Sequence, residues 1–129
     1  MANNLASLTA SEALERTRSG ELSVEALADA CLERVAAREP IVHAWAHIDP
    51  EFVRAQAREL DNLGATRGRG PLHGVPIGIK DVILTKDMPT QYNSPIYRGF
   101  HPQIDAACVA MLRTAGALIF GKTETVAPA

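Results

Sequence analysis

The residue with the clearest chemical potential in this chain is Lys80. It lies inside the most apolar stretch, Val75-Pro-Ile-Gly-Ile-Lys-Asp-Val-Ile-Leu84. Taking an ammonium out of water is costly unless it is paired or gives up its proton. A lysine that gives up its proton is a base, and a base beside a hydroxyl turns a weak nucleophile into a strong one. A free lysine titrates at about 10.4, so this role near neutrality needs surroundings that disfavour the charged form. Asp81 follows directly, but neighbours on a strand point to opposite faces, which makes it a poor direct partner for Lys80. Gly78 lies two residues back on the same face and leaves room beside the lysine. The C-terminal ends of strands in an α/β sheet are also where ligands bind. The alternative is that the strand ends early and Lys80 snorkels its ammonium into water. The residue pattern by itself leaves both readings open.

Other candidates are weaker. Lys122 stands in Gly121-Lys-Thr123, which could suggest a phosphate site. Gly116 does stand five residues before Gly121, but the residues between them read as a strand rather than a loop and no clear helix follows, so the expectation is a solvated strand end. Arg67-Gly-Arg-Gly-Pro71 is a flexible basic loop whose glycines precede a strand rather than a helix, the wrong order for a phosphate cradle. His43, His47, His73 and His101 are scattered. The first two are four apart in a segment that reads as a strand, so they would not stack on one helical turn, and nothing has metal-ligand spacing. Cys31 and Cys108 could pair, but both sit in apolar-periodic stretches and read as small buried hydrophobes in a reducing cytosol.

The elements that must position these residues follow an α/β rhythm. Thr9-Ala-Ser-Glu12 is a capping box opening a helix to about Arg18, stopped by Ser19-Gly20. A second helix starts at Ser23, buries Leu27, Cys31, Leu32 and Val35 on one face, and ends near Arg38 before Glu39-Pro40. Ile41 to Ile48 carries β-branched and aromatic residues suited to a short strand. Asp49-Pro50-Glu51 starts a third helix with Phe52, Ala55, Leu60 and Leu63 partly inward and Gly64 at its close. Apolar residues on both faces of 75–83 suggest a strand buried from both sides. Thr85 to Pro102, punctuated by Pro89, Pro95 and Pro102, is a long loop. Asp105 caps a helix through Ala106, Val109, Met111 and Leu112, ended by Gly116, and Ala117 to Phe120 returns as a strand. The spacing thus predicts helices near 9–18, 23–38, 50–63 and 105–115 and strands near 42–48, 75–83 and 117–121. The last two strands should be parallel neighbours or near neighbours, since a helix connects them.

A longer set of matches bears on Lys80. Pro71-Leu-His-Gly-Val-Pro-Ile-Gly-Ile-Lys-Asp-Val82 is followed by Met88-Pro-Thr-Gln-Tyr-Asn-Ser-Pro-Ile-Tyr97, then Asp105-Ala-Ala-Cys-Val109 and Gly116-Ala-Leu-Ile-Phe-Gly-Lys-Thr123. In order and spacing this resembles the amidase signature family, over roughly Ala6 to Thr123. The resemblance implies a Ser–cis-Ser–Lys amidohydrolase acting on carbon–nitrogen bonds of linear amides. In that family the lysine at the position of Lys80 acts as base on a bridging serine, which passes on the proton of the nucleophilic serine. Backbone N–H groups of a glycine-rich segment hold the oxyanion, whose charge develops only in the tetrahedral intermediate. In the family both serines lie a few tens of residues past the Gly-Lys-Thr strand. Glu124-Thr-Val-Ala-Pro-Ala129 is not that segment, and Ser94 and the other upstream serines lack its Gly/Ser-rich context. Thr90, Asn93 and Ser94 occupy the loop that in the family runs close to the active site, as support for the site or as turn residues bonding the local backbone.

The fold expected is therefore α/β, with N-terminal helices leading into the first part of a mixed, mostly parallel sheet of the amidase signature fold. Residues 1–129 read as the N-terminal part of one such domain. Residues 1–66 form a helical lead-in with a short strand, and 67–129 begin the core sheet with the catalytic-lysine strand. A chain of this size buries roughly two-thirds of the surface it exposes when unfolded, enough for a real core. Its hydrophobic content of 47% with 22% charge excludes wholesale disorder. A net charge of −2 leaves no electrostatic footprint for nucleic acid or an anionic membrane. Met1 to Gly20 lacks the apolar segment of a secretory signal, and no run approaches the ~18 apolar residues of a membrane span. The expectation is a cytoplasmic protein with a small-molecule amide substrate, no metal and no cofactor. A noncatalytic remnant, a small α/β binding module, and an amidotransferase subunit of the same family are the alternatives.

Overall fold

The computed structural model describes residues 4–126. After a short 3-10 turn at Leu5–Ser7 come helices α1 (Ala10–Ser19) and α2 (Val24–Val42), strand β1 (Trp45–His47) and helix α3 (Pro50–Arg67). Strand β2 (Pro76–Lys80), a 3-10 turn at Pro95–Tyr97, helix α4 (Ala107–Thr114) and strand β3 (Leu118–Thr123) follow. The three strands make one mixed sheet in the order β1-β3-β2. β3 runs parallel to β2 and antiparallel to β1. The expected parallel pairing of the lysine strand with the last strand is present, and the two are direct neighbours.

Helix starts are set by local chemistry. Thr9 Oγ1 accepts from Glu12 N while Glu12 Oε1 accepts from Thr9 N, closing the capping box. Ser23 caps α2, and Asp49 with Pro50 opens α3. Gly20 ends α1 in the left-handed region.

The ends depart from expectation. Pro40 does not stop α2, which continues to Val42 and closes at a left-handed His43. Proline near the end of a helix forfeits only one hydrogen bond, and here Glu39 organises the exit: its carboxylate accepts from Ala44 N and Trp45 N at 2.9 and 2.8 Å. The first strand is correspondingly short. Nor does Gly64 close α3, which runs on to Arg67. Gly64 is buried against His73, whose Cε1 would lie 3.0 Å from an added Cβ, so this glycine serves close packing. The inward face of α3 is Val53, Ala57 and Gly64 with Leu60 beside them, whereas Ala55 and Leu63 are exposed. α4 begins one residue past its unassisted cap Ala106, because the Asp105 carboxylate is engaged by Lys86 N and Arg113 instead. Cys108 lies exposed on the outer side of α4 and Cys31 is half-buried; both are free, so neither the disulfide nor a fully buried pair is found. Burial pushes the Cys31 thiol up.

Two apolar clusters sandwich β3. On one face Leu118 and Phe120 pack on Val24, Ala28 and Leu32 of α2 and on Val53 and Ala57 of α3, with the Trp45 ring 5.5 Å from Phe120. On the other, Ile119 meets Ile79, Met88 and Val109. β3 is therefore buried throughout most of its length. β2 is not: Gly78 and Lys80 are exposed and only Ile79 is buried, so the expected two-sided burial holds for β3 rather than for the lysine strand.

Candidate functional site

β2 and β3 are out of simple register. Ile77 pairs with Ile119, but Gly78 pairs with Gly121, which leaves Phe120 without a partner in β2. Past this irregularity Ile79 stands opposite Lys122 and Lys80 opposite Thr123. Alternation along the strands then sends Lys80 and Lys122 to opposite faces of the sheet.

Lys80 is the last residue of β2, at the C-terminal end of two parallel strands. Its side chain is exposed, and no ion pair engages it among the described residues. Its carbonyl accepts from Ile83 N at 2.9 Å, which turns the chain immediately after the strand. The room that Gly78 was expected to leave beside Lys80 is taken by Trp45. An added Cβ at Gly78 would lie 2.9 Å from the indole Cη2 and 2.9 Å from Thr123 Cγ2.

Lys122 corrects the sequence reading. It is no solvated strand end: its residue is 0% exposed, among the largest fully buried side chains of the protein. Four oxygens surround Nζ: Thr90 Oγ1 at 2.7 Å, Pro89 O at 3.0 Å, Thr85 Oγ1 at 3.2 Å and Asp81 Oδ1 at 3.2 Å. Thr85 and Thr90 are themselves buried and donate their own hydroxyl protons to Met88 O and Ile83 O. Every donor in the cluster therefore has an acceptor, as a buried charge requires. Burial pushes the Lys122 ammonium below the ordinary lysine range, opposed by its bond to and the charge of Asp81. No local pattern signals this residue, because its partners lie 32 to 37 positions back for the threonines and further still for Asp81.

The expected supporting residues separate into two groups. Thr90 belongs to the Lys122 cluster and is fully buried. Asn93 and Ser94 lie further out. Asn93, at φ 53°, donates from Nδ2 to Thr125 O at 2.9 Å, and Ser94 Oγ caps the short turn by accepting from Ile96 N. With Asp81, Gln91, Arg98 and Glu124 they line an open polar cleft of about 220 Å³ at the C-terminal end of the sheet. The basic loop at 67–71 is no phosphate cradle: Leu72 N and Gly74 N bond Ala115 O and Gly116 O, and Gly70 lies against the Ala115 carbonyl. Among the described residues no cluster of three or more His, Cys, Asp or Glu could hold a metal, and no helix is long and apolar enough to cross a membrane.

Comparison with known proteins gives a consistent set of similarities. The sequence model of the family described as Amidase matches residues 26–127. The chain is 44% identical over 115 residues to a glutamyl-tRNA(Gln) amidotransferase subunit from Roseiflexus sp. (strain RS-1), covering 89% of this chain and 24% of that protein. Its fold superposes on the peptide amidase of Stenotrophomonas maltophilia with a TM-score of 0.83 and 35% identity, over 92% of this chain and 25% of that one. Fatty acid amide hydrolase superposes with a TM-score of 0.88 at 25% identity, over 95% of this chain and 22% of that one. The chain thus spans about a quarter of the length of each of these proteins.

Proposed function

This chain belongs to the amidase family, and on that premise we propose that Lys80 is the base of a Ser–cis-Ser–Lys triad in a protein that hydrolyses carbon–nitrogen bonds of linear amides. The observation that carries the reading is the contrast in commitment between the two strand lysines. Lys122 is consumed by four oxygens inside the fold, whereas Lys80 stands at the C-terminal end of β2 with its side chain exposed. A base must reach a proton that belongs to another group, so an uncommitted amine at a sheet's ligand-binding end suits the role. The serines and the oxyanion donors would come from a Gly/Ser-rich segment outside residues 1–129. Asn93 and Ser94, on the cleft wall, would support that segment or the substrate.

The activity belongs to the assembled protein, so two measurements test it. Residues 1–129 alone should show no amide hydrolysis that depends on Lys80, because a base without nucleophile or oxyanion donors has nothing to activate. In a whole amidase polypeptide carrying this segment, Lys80→Ala should lower turnover by roughly 10²–10⁴-fold, the usual worth of a positioned acid or base, and leave the fold intact. Full turnover in that variant, or Lys80-dependent hydrolysis by 1–129 alone, overturns the proposal.

A second reading is an amidotransferase component of the same family. It is favoured by the 44% identity to a glutamyl-tRNA(Gln) amidotransferase subunit. The same lysine would release ammonia from an amide for an acceptor held by a partner protein. Turnover that depends on an added partner and acceptor selects this reading; turnover without them selects the simple hydrolase. A noncatalytic binding module is what remains if the coding sequence after Ala129 holds no Gly/Ser-rich stretch.

A further inference from the structure

The Lys122 cluster bears on Lys80 through the residue between them. Asp81 follows Lys80 directly and is held at every polar atom it has. Its N–H donates to Thr123 O at 3.0 Å, and its carbonyl accepts from Tyr92 N at 3.0 Å. Its carboxylate accepts from Gln91 N at 3.2 and 3.3 Å and from Lys122 Nζ at 3.2 Å. The strand therefore ends at a fixed point, and the turn closed by Ile83 N on Lys80 O begins there. On the far side of the ladder, Thr123 faces Lys80 and Lys122 faces Ile79. One buried ammonium thus ties β3, the first residue after β2, and the 85–90 stretch of the following loop into a single rigid unit.

We propose that the buried Lys122–Asp81–Thr90 cluster positions Lys80: it fixes the backbone from which the Lys80 side chain projects and so sets where its amine stands. The proposal rests on the reading of Lys80 as a base for its consequence in turnover, but not for its structural content. A catalytic group must be held to within a fraction of an ångström, and long flexible side chains inherit their position from the backbone that carries them. Thr90 makes the shortest contact to Nζ, 2.7 Å, and can be altered without leaving a charge unpaired. Lys122→Met would leave the Asp81 carboxylate buried without its counter-ion, which risks the whole fold.

The test therefore compares Thr90→Val, Thr90→Ser and Lys122→Met. Lysine-selective carbon-13 NMR of residues 1–129 reads the environment of the Lys80 side chain, and a whole amidase polypeptide carrying the segment reads turnover. Thr90→Val, and Lys122→Met if it folds, should move the Lys80 resonance and lower kcat by about 10²-fold with KM changed no more than about twofold, the signature of a displaced base rather than lost binding. Thr90→Ser keeps the hydroxyl and should restore both readouts. A folded Thr90→Val protein with unchanged Lys80 resonance and unchanged kcat overturns the proposal. Retained turnover in Lys80→Ala overturns the base assignment alone, and the resonance shifts still decide whether the cluster positions Lys80.

Discussion

Lys80 and Lys122 stand one register position apart in neighbouring parallel strands, yet they meet opposite environments. Lys122 turns into the space beneath the 85–90 loop, where two threonine hydroxyls, a carbonyl and a carboxylate close around it. Lys80 turns to the other face, the side on which Trp45 packs against Gly78, and meets none of these groups. The difference originates in the irregular pairing after Ile77 and in strand alternation, which assigns adjacent positions to opposite faces. Two side chains of identical chemistry thus divide the work: one holds the sheet to its loop, the other is left with its amine available.

The largest effect is expected at Lys122. Lys122→Leu should cost about 3–5 kcal/mol, because the Asp81 carboxylate would remain buried without its counter-ion. Urea unfolding of residues 1–129 measures it. A cost below about 1 kcal/mol would place the pair with ordinary surface ion pairs and dissolve the contrast.

A moderate effect is expected with pH. Burial holds the His73 imidazole below its ordinary value, assisted by Arg69, and burial does the same to His47, where the charge of Lys122 adds to it. Between those lowered values and the ordinary value of about 6.5 the unfolded chain binds more protons than the folded one. Their contribution to stability is complete above about pH 6.5 and is lost as pH falls through the folded values, with a slope of at most about 1.4 kcal/mol per pH unit for each histidine. Thermal unfolding across that range should show the decline, and His73→Gln should flatten it. NMR titration sharpens the lysine comparison. In a folded Lys122→Leu protein the His47 value should rise, whereas Lys80→Ala should leave it unmoved, since Lys122 contributes to the His47 shift and Lys80 does not.

The smallest effect belongs to Lys80 itself. Lys80→Ala should change stability by no more than about 0.5 kcal/mol, the range for an exposed side chain without a partner. A loss of several times that amount in the same urea titration would mean that Lys80 supports the fold, and its availability for chemistry would have to be reconsidered.

Much of the architecture was legible where the deciding atoms are close in sequence. The capping box at Thr9 and Glu12, the caps at Ser23 and Asp49, and the left-handed stop at Gly20 each depend on a side chain and a backbone group within one turn. Expectation failed where a distant group held the decision. Gly64 looked like a helix stop and is a packing site for His73, and Asp105 looked like a cap and is claimed by Arg113 and Lys86 N. Of the candidate site, Lys80 and the loop residues were identifiable from an ordered run of motifs, while the partners of Thr90 and the burial of Lys122 were not.

By itself, then, the sequence determined the starts of the first three helices, the alternation of helix and strand, and the family resemblance, because each is written in spacings of a few residues or in ordered motifs. Tertiary structure alone decided which lysine is buried. That outcome depends on a pairing irregularity between β2 and β3 and on a loop whose threonines fold back over 32 to 37 residues to meet Lys122. A buried charge survives only where several oxygens converge on one point, and convergence is a property of the folded chain rather than of any segment of it.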